Sequence, residues 1–294
     1  MKKSKINGAL VIGGTGFVGE YLVDLLSKKR GISVEVLYYN SVPSNKSPSI
    51  DYRRLDLRAP IKVSLKKSGL GDFDVAIVMT QPDLKIAKNI IKIFESAKNL
   101  KKIIFVSTML VYPDSKIKIS ESMRPVASSP YEKGKIIEEG LFRKYAELRK
   151  IELSIIRLAN IYGNVKNRGI VGHIFRSIID KRPLTIRGDG QHKRDYVFVE
   201  DAVKFIKFLV FFNHKKRIEV FNICTGQGYT IQDLIKLARE VTKGEIDIKY
   251  SEQIKEKRCV IGDNRKILNV SGIKLSYGIM KGLKKTYLNY LNNE

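Results

Sequence analysis

The chain has 294 residues, 43% hydrophobic and 29% charged, with 55 Lys plus Arg against 30 Asp plus Glu and a formal net charge of +25. This composition excludes a disordered or collagen-like chain and leaves enough apolar material for one large domain or two modest ones. Lysine makes up 38 of the 55 basic residues, dispersed along the chain, so the excess promises attraction to anions without naming one.

Apolar runs of strand length alternate with amphipathic stretches. Residues 9–12 read as a buried strand and 17–29 as a helix with Val18, Tyr21, Leu22 and Leu25 on one face. Strands follow at 33–39, 52–55 and 73–79, then a helix at 84–97 and a fifth strand at 102–107. A long helix at 131–148 leads into a sixth strand at 153–158. This alternation predicts parallel βαβ units and an α/β fold of the Rossmann type, a doubly wound parallel sheet. Beyond Gly163 the rhythm loosens into helices at 169–180, 199–211 and 231–241 joined by short strands and polar loops. The expected division is a nucleotide-binding domain over residues 1–162 and a smaller, partly interleaved substrate region over 163–294.

Gly13, Gly16 and Gly19 lie between the first strand and the first helix with GxxGxxG spacing. The first glycine allows a tight turn, the second lets a pyrophosphate approach the backbone, and the third lets helix and strand pack closely. The helix N-terminus behind them offers free N–H groups to the phosphates. Phe17 and Val18, inside the same turn, complete the candidate cofactor residues. The second strand ends Val36-Leu-Tyr-Tyr-Asn-Ser41 with no acid to receive an adenosine ribose; Glu35 falls too early, no arginine adjoins it, and Lys46 lies a few residues on. NAD against NADP stays open on this feature.

The fifth strand ends in Ser107-Thr108, and the carboxyl end of such a strand is where a doubly wound sheet places ligands. Further on, Tyr131 and Lys135 are four apart and share a helix face. A tyrosine with its ordinary pKa near 10 is a poor base at neutral pH, and a neighbouring ammonium would favour the phenolate. A hydroxyl at Thr108 could hold the reacting group of a substrate. Among so many lysines and tyrosines, the Tyr-x-x-x-Lys spacing by itself is equally compatible with chance.

In combination these motifs resemble the extended short-chain dehydrogenase/reductase family, in its NAD-dependent epimerase/dehydratase branch of nucleotide-sugar enzymes. The resemblance runs over nearly the whole chain: Gly13-Gly-Thr-Gly16-Phe-Val-Gly19, Leu55-Asp56-Leu57, Ser107-Thr108-Met-Leu-Val-Tyr112, Glu121 and Pro125, Ser129-Pro130-Tyr131, Arg157-Leu-Ala-Asn160-Ile-Tyr162-Gly163, Gly188-Asp-Gly190 through Arg194-Asp195-Tyr196 to Asp201, and Phe221-Asn222-Ile. It implies that Tyr131 is the general acid/base, that Lys135 tunes it and binds the nicotinamide ribose, and that Thr108 orients the reacting hydroxyl. It further implies adenine contacts from Asp56 and Leu57, and contacts to a nucleotide diphosphate from Asn160, Arg194 and Arg258. For Arg194 the alternative is a structural ion pair with Asp195 or Glu200. The resemblance favours NAD as cofactor, leaves NADP open, and implies a homodimer through the helices at 84–97 and 131–148.

Two departures bear on the chemistry. Met109 and Leu110 stand where a 4,6-dehydratase of this branch carries an Asp-Glu pair, which argues against dehydration. The chain also passes from Val78-Met-Thr80-Gln81-Pro82 almost directly into a helix, where relatives have a long loop. A nucleotide-sugar 4-epimerase of the UDP-glucose type is therefore the leading expectation. A reductase or dehydrogenase of a nucleotide-linked or other small carbonyl compound comes next, and a non-catalytic RNA-binding member of the fold comes last. No aromatic-basic cluster supports a nucleic-acid partner. His173, His192 and His214 form no ligand spacing, so no metal is expected and surface or loop roles are assigned to them. Cys224 and Cys259 are too few for a disulfide framework, and no apolar run approaches the roughly 20 residues of a spanning helix. A soluble, cytoplasmic protein without a membrane partner is expected.

Overall fold

The structure, a computed structural model, describes residues 5–43, 47–61, 69–252 and 256–292. Lys46 lies outside the described residues. In chain order the elements are β1 (Gly8–Ile12), α1 (Phe17–Ser27), β2 (Ser33–Tyr38), β3 (Ile50–Arg54), β4 (Val75–Val78), α2 (Leu84–Ser96), β5 (Lys102–Thr108), α3 (Pro130–Arg149) and β6 (Glu152–Leu158). They continue as β7 (Asn160–Tyr162), α4 (Ile170–Asp180), β8 (Leu184–Arg187), β9 (Lys193–Phe198), α5 (Val199–Phe211), β10 (Ile218–Ile223), β11 (Gly228–Tyr229), α6 (Ile231–Thr242), β12 (Ile248–Ser251), β13 (Cys259–Val260), α7 (Arg265–Ser271) and α8 (Ile279–Leu291).

The main sheet has seven strands in the order β10-β6-β5-β4-β1-β2-β3, with parallel pairing from β3 through to β5. This is the doubly wound arrangement expected from the βαβ rhythm. The strand order reverses between β1 and β4, and the crevice outside their carboxyl ends is where such sheets bind ligands. Because both faces are covered, the inner strands are apolar throughout: β1 and β4 are buried at every residue. One face packs Phe94 of α2 and Phe142 of α3 against Phe105 of β5, with ring centroids 6.3 Å apart between Phe94 and Phe142 and 4.8 Å between Phe105 and Phe142. That contact seats α3 beside the end of β5. Full burial of one such side chain is worth roughly 1.5–3 kcal/mol.

The chain forms two compact units. One comprises residues 1–111, 127–157 and 203–221, and the other 112–126, 158–202 and 222–294. The chain crosses between them several times, and β10 returns to the edge of the main sheet beside β6. In the second unit β9 is the hub, pairing with β7, β11 and β13. Helices α4, α6 and α8 enclose a separate core that includes Phe175, Leu234 and Leu283.

Lysine is not confined to the solvated surface. Lys102 is 1% exposed; its ammonium lies 3.0 Å from Glu152 and also donates to the carbonyls of Leu209 and Phe212. His214, half-buried in the loop after α5, lies against Phe212 and Phe221 with Nε2 2.7 Å from Ser154 Oγ. Among the described residues no helix is long and apolar enough to cross a membrane, and no three His, Cys, Asp or Glu side chains group as metal ligands.

Candidate functional site

The glycine turn joins β1 to α1 at the switch point. Gly13 has φ +82°, and a Cβ there would sit 2.7 Å from the Met79 carbonyl beyond β4. A Cβ on Gly19 would meet Gly13 O at 2.4 Å and Gly14 Cα at 2.6 Å. These two glycines therefore serve the turn's own geometry and the packing of α1. Gly16 is different: it caps α1 in an extended conformation, contributes no side-chain cap, and a Cβ on it would approach only Gly13 O, at 3.3 Å. Little inside the protein crowds Gly16, which leaves the outer side of the turn open. A helix start with uncapped N–H groups behind such a glycine fits the diphosphate of a dinucleotide. Phe17, Val18 and Gly19 form the first turn of the helix.

Asp56 and Leu57 follow β3 at the same edge of the sheet. Asp56 Oδ1 accepts from Arg58 N at 2.9 Å, while the carbonyls of Leu57 and Ala59 receive the amide of Asn89 at 2.8 and 3.1 Å. Asn89, buried on α2, holds this segment in place and carries no motif by which sequence reasoning would find it.

Thr108 ends β5, and its Oγ1 accepts from Leu110 N at 3.2 Å. Ser129 caps α3 through its hydroxyl with Pro130 in the first turn, so the helix begins immediately before Tyr131. The Thr108 hydroxyl lies near enough to Tyr131 to draw the phenol's pKa down. Behind them, Ser107 Oγ donates to Glu139 Oε1 at 2.6 Å. Glu139 in turn receives both Arg157 Nε (3.1 Å) and Nη2 (2.7 Å). This buried bidentate pair locks α3 onto β5 and β6.

Lys135 is 2% exposed, and its ammonium is fully engaged. It donates to Thr80 O at 2.7 Å, to Val106 O at 3.3 Å and to Glu138 Oε2 at 3.3 Å, which accounts for all three of its N–H groups. Glu138, 1% exposed, also accepts from Asp83 N at 3.0 Å. The direct run from β4 into α2 makes this possible. Asp83 caps α2, and Pro82 packs so closely on α3 that a Cβ on Gly134 would lie 2.8 Å from the proline's Cβ. The shortened connection lies on the same helix face as Lys135.

The electrostatics differ from the sequence expectation. Burial pushes the Tyr131 phenol above its ordinary pKa and the Glu138 charge raises it further, against a smaller lowering by the nearby Thr108 hydroxyl. The Lys135 ammonium does not prevail, because Glu138 neutralises it at 3.3 Å. Burial works against both members of that pair, pulling Lys135 down and Glu138 up. Glu138 is the residue that sequence reasoning missed; an acid three positions after Lys135 on the same helix was the available signal.

Asn160, Arg194 and Arg258 belong to the second unit. Asn160 pairs with Tyr196 and Val260 with Arg194, both in parallel register, and Lys193 N donates to Arg258 O at 2.7 Å. Strand alternation thereby puts all three on one face of the β9 sheet. Arg194 pairs with Glu256 at 3.5 Å, not with Asp195 or Glu200. Asp195 is turned to the N–H groups of Thr225 and Gly226, each at 2.8 Å. Nearby, Tyr112 Oη donates to Asn222 Oδ1 at 2.8 Å and Asn222 N to Glu121 at 2.9 Å, which gathers three further signature residues.

An open glycine turn at a switch point, with a Thr, Tyr and Lys set beside it in one doubly wound unit, defines a nucleotide-cofactor enzyme fold. The chain belongs to the NAD dependent epimerase/dehydratase family, whose description matches residues 73–224. It is similar to a GDP-6-deoxy-D-talose 4-dehydrogenase of Aggregatibacter actinomycetemcomitans, with 27% identity over 96% of this chain and 97% of that protein. It is also similar to a putative UDP-glucose 4-epimerase of Methanocaldococcus jannaschii, with 25% identity over 78% of this chain and 81% of that one. Among solved structures, the UDP-glucuronic acid 4-epimerase of Bacillus cereus, in complex with UDP-glucuronic acid and NAD, superposes with a TM-score of 0.84 over 98% of this chain and 100% of that one, at 20% identity. The Thermus thermophilus UDP-glucose 4-epimerase complex with NAD has a TM-score of 0.85 over 97% of this chain and 99% of that one, also at 20% identity.

Proposed function

We propose that this protein is a nucleotide-sugar 4-epimerase that works through a bound nicotinamide dinucleotide. The observation that supports the reading is that Lys135, on the helix whose first turn carries Tyr131, donates to Val106 O of β5 two residues before Thr108, in the same unit as the uncapped glycine turn. Gly13, Gly16 and Gly19 with the start of α1 would hold the diphosphate, Asp56 and Leu57 the adenine, and Lys135 the ribose. When bound, the nicotinamide takes a hydride from the sugar carbon and can return it. Tyr131 takes the hydroxyl proton at its phenolic oxygen and gives it back when the carbonyl is reduced. Thr108 holds the reacting oxygen in line with that phenol. Lys135 must release at least one of its three protein acceptors to bond a ribose hydroxyl. Asn160, Arg194 and Arg258 are assigned to the nucleotide end of the substrate, where guanidinium groups suit a diphosphate. Met109 and Leu110 carry no proton to transfer, so the site is equipped for oxidation and reduction at one carbon and not for dehydration.

A net dehydrogenase or reductase is the second reading. It is supported by the relative matched over almost the whole chain, a 4-dehydrogenase, and by a Tyr131 held as a neutral phenol, the form that donates a proton during reduction. A homodimer, placed in the cytoplasm, is part of the same proposal, and Leu84, Ile137 and Leu148, which α2 and α3 leave exposed, support the dimer. The test is purified protein with a panel of UDP- and GDP-sugars, scored for interconversion at the 4-position and for net formation of reduced cofactor. Interconversion without net reduction supports the epimerase, and stoichiometric reduction the dehydrogenase. Turnover of no member of the panel refutes both.

A further inference from the structure

The tip of β2 is where a doubly wound nucleotide domain receives the adenosine ribose. A carboxylate there binds the two hydroxyls of NAD and repels a 2′-phosphate. Here residues 36–41 bring no acid. Glu35 is committed elsewhere: its two carboxylate oxygens accept from Gly71 N at 2.9 and 3.1 Å, and one lies 3.6 Å from Arg53 Nε. Asp51 also pairs with Arg53. Asp56 faces its own Arg58 N–H, and Arg58 Nε lies 3.5 Å from Asp83. The acids at this edge are thus all turned to other partners.

An arginine stands there instead, supplied from the neighbouring strand. Parallel pairing places Arg54 of β3 beside Tyr38 of β2. Arg54 Nε donates to Tyr39 O at 3.3 Å, and its guanidinium carbon lies 5.8 Å from the centre of the Tyr39 ring. This anchors one edge of the guanidinium and leaves its two terminal nitrogens, among the described residues, without an acceptor. Two parallel N–H donors with a permanent positive charge match two oxygens of a phosphate monoester.

We propose that Arg54 is the residue that sets cofactor choice in this protein: it receives the 2′-phosphate of an NADP-type dinucleotide, so that the chain takes NADP(H) as well as NAD(H). The proposal rests on reading the glycine turn as a dinucleotide site. No covalent step is involved; the added phosphate exchanges water for the terminal N–H groups of Arg54 and for the neutral polar residues Asn40 and Ser41.

The test is an equilibrium titration of cofactor-stripped protein with NADH and NADPH, followed by nicotinamide fluorescence, in the wild type and in Arg54→Gln. Arg54 is exposed and absent from the core, so the variant folds, which a melting curve checks. The expected result is NADPH binding within about tenfold of NADH in the wild type. In Arg54→Gln, NADPH weakens about ten- to a hundredfold and NADH less than about twofold, the loss of a charge-assisted pair. Raising salt should weaken NADPH more than NADH in the wild type only. Wild-type NADPH binding more than about a hundredfold weaker than NADH, or equal effects of the variant on both cofactors, overturns the proposal. Binding of neither cofactor overturns the dinucleotide reading, and the role of Arg54 falls with it.

Discussion

Replacing Glu138 by glutamine removes one negative charge from the helix that carries Tyr131 while keeping an oxygen for Asp83 N and for Lys135. Tyr131 and Glu138 are seven residues apart on α3, about 10 Å along the axis. At an effective dielectric constant of about 20, that separation corresponds to roughly 1.6 kcal/mol between unit charges. Tyr131 is 37% exposed, so solvent screening reduces that figure further. The sign is definite. Glu138 raises the phenol's pKa, so its removal lowers that pKa. Oxidation of the sugar hydroxyl needs the phenolate, and its rate rises with pH towards the phenol's pKa. In Glu138→Gln the acid limb of this profile should therefore move to lower pH. The assay is single-turnover reduction of bound cofactor, followed at the nicotinamide absorbance band from about pH 5 to 10. Asp83, Arg58 and Glu139 are unchanged, and a melting curve reports any loss of packing. A limb that stays in place, in a background where Tyr131→Phe is inactive, would refute the idea that Glu138 sets the charge state of the site.

Tyr131→Phe should bind cofactor as the wild type does and lose turnover by about 100- to 10,000-fold; full activity would remove Tyr131 from the acid/base role. Gly16→Ala should fold normally but bind the dinucleotide at least about tenfold more weakly, measured by titration, because its methyl enters the space left for the diphosphate. Gly19→Ala should instead lose about 1–3 kcal/mol of stability in a denaturant melt, because its Cβ is forced onto the Gly13 carbonyl. Arg157→Met leaves Glu139 buried without its partner and should cost about 3–5 kcal/mol, a melting point lower by roughly 6–20 °C. Adding Glu139→Leu should recover most of that loss, and a double variant no more stable than the single one would show that the pair's charge was not the issue.

Much of the nucleotide-binding unit was legible from local patterns. Strands and helices up to β6 appear within a few residues of their sequence-derived bounds, since apolar runs buried on both faces and helices with a single apolar stripe are written in the chain itself. The start of α3 was readable for a similar reason: Ser129 and Pro130 form a local cap. Helices α7 and α8 were not anticipated. What Lys102 and His214 meet was not readable, because the partners of a charged or polar group lie far off in sequence, here Phe212 O and Ser154.

The chain by itself determined the glycine turn and the shared face of Tyr131 and Lys135. Positive φ at Gly13 and four-residue helical spacing are properties of neighbouring residues. Tertiary structure alone decided what those groups meet. Lys135 is held by Thr80, 55 positions away, because the short β4–α2 connection folds onto α3. Arg54 stands beside Tyr39 because β2 and β3 pair in one register, and a shift of one residue would turn every side chain of the strand to the opposite face. Asn160, Arg194 and Arg258 come to one face of a sheet by the same long-range pairing. Local preference fixes conformation, whereas charge state and ligand contact depend on which distant segments the core brings together.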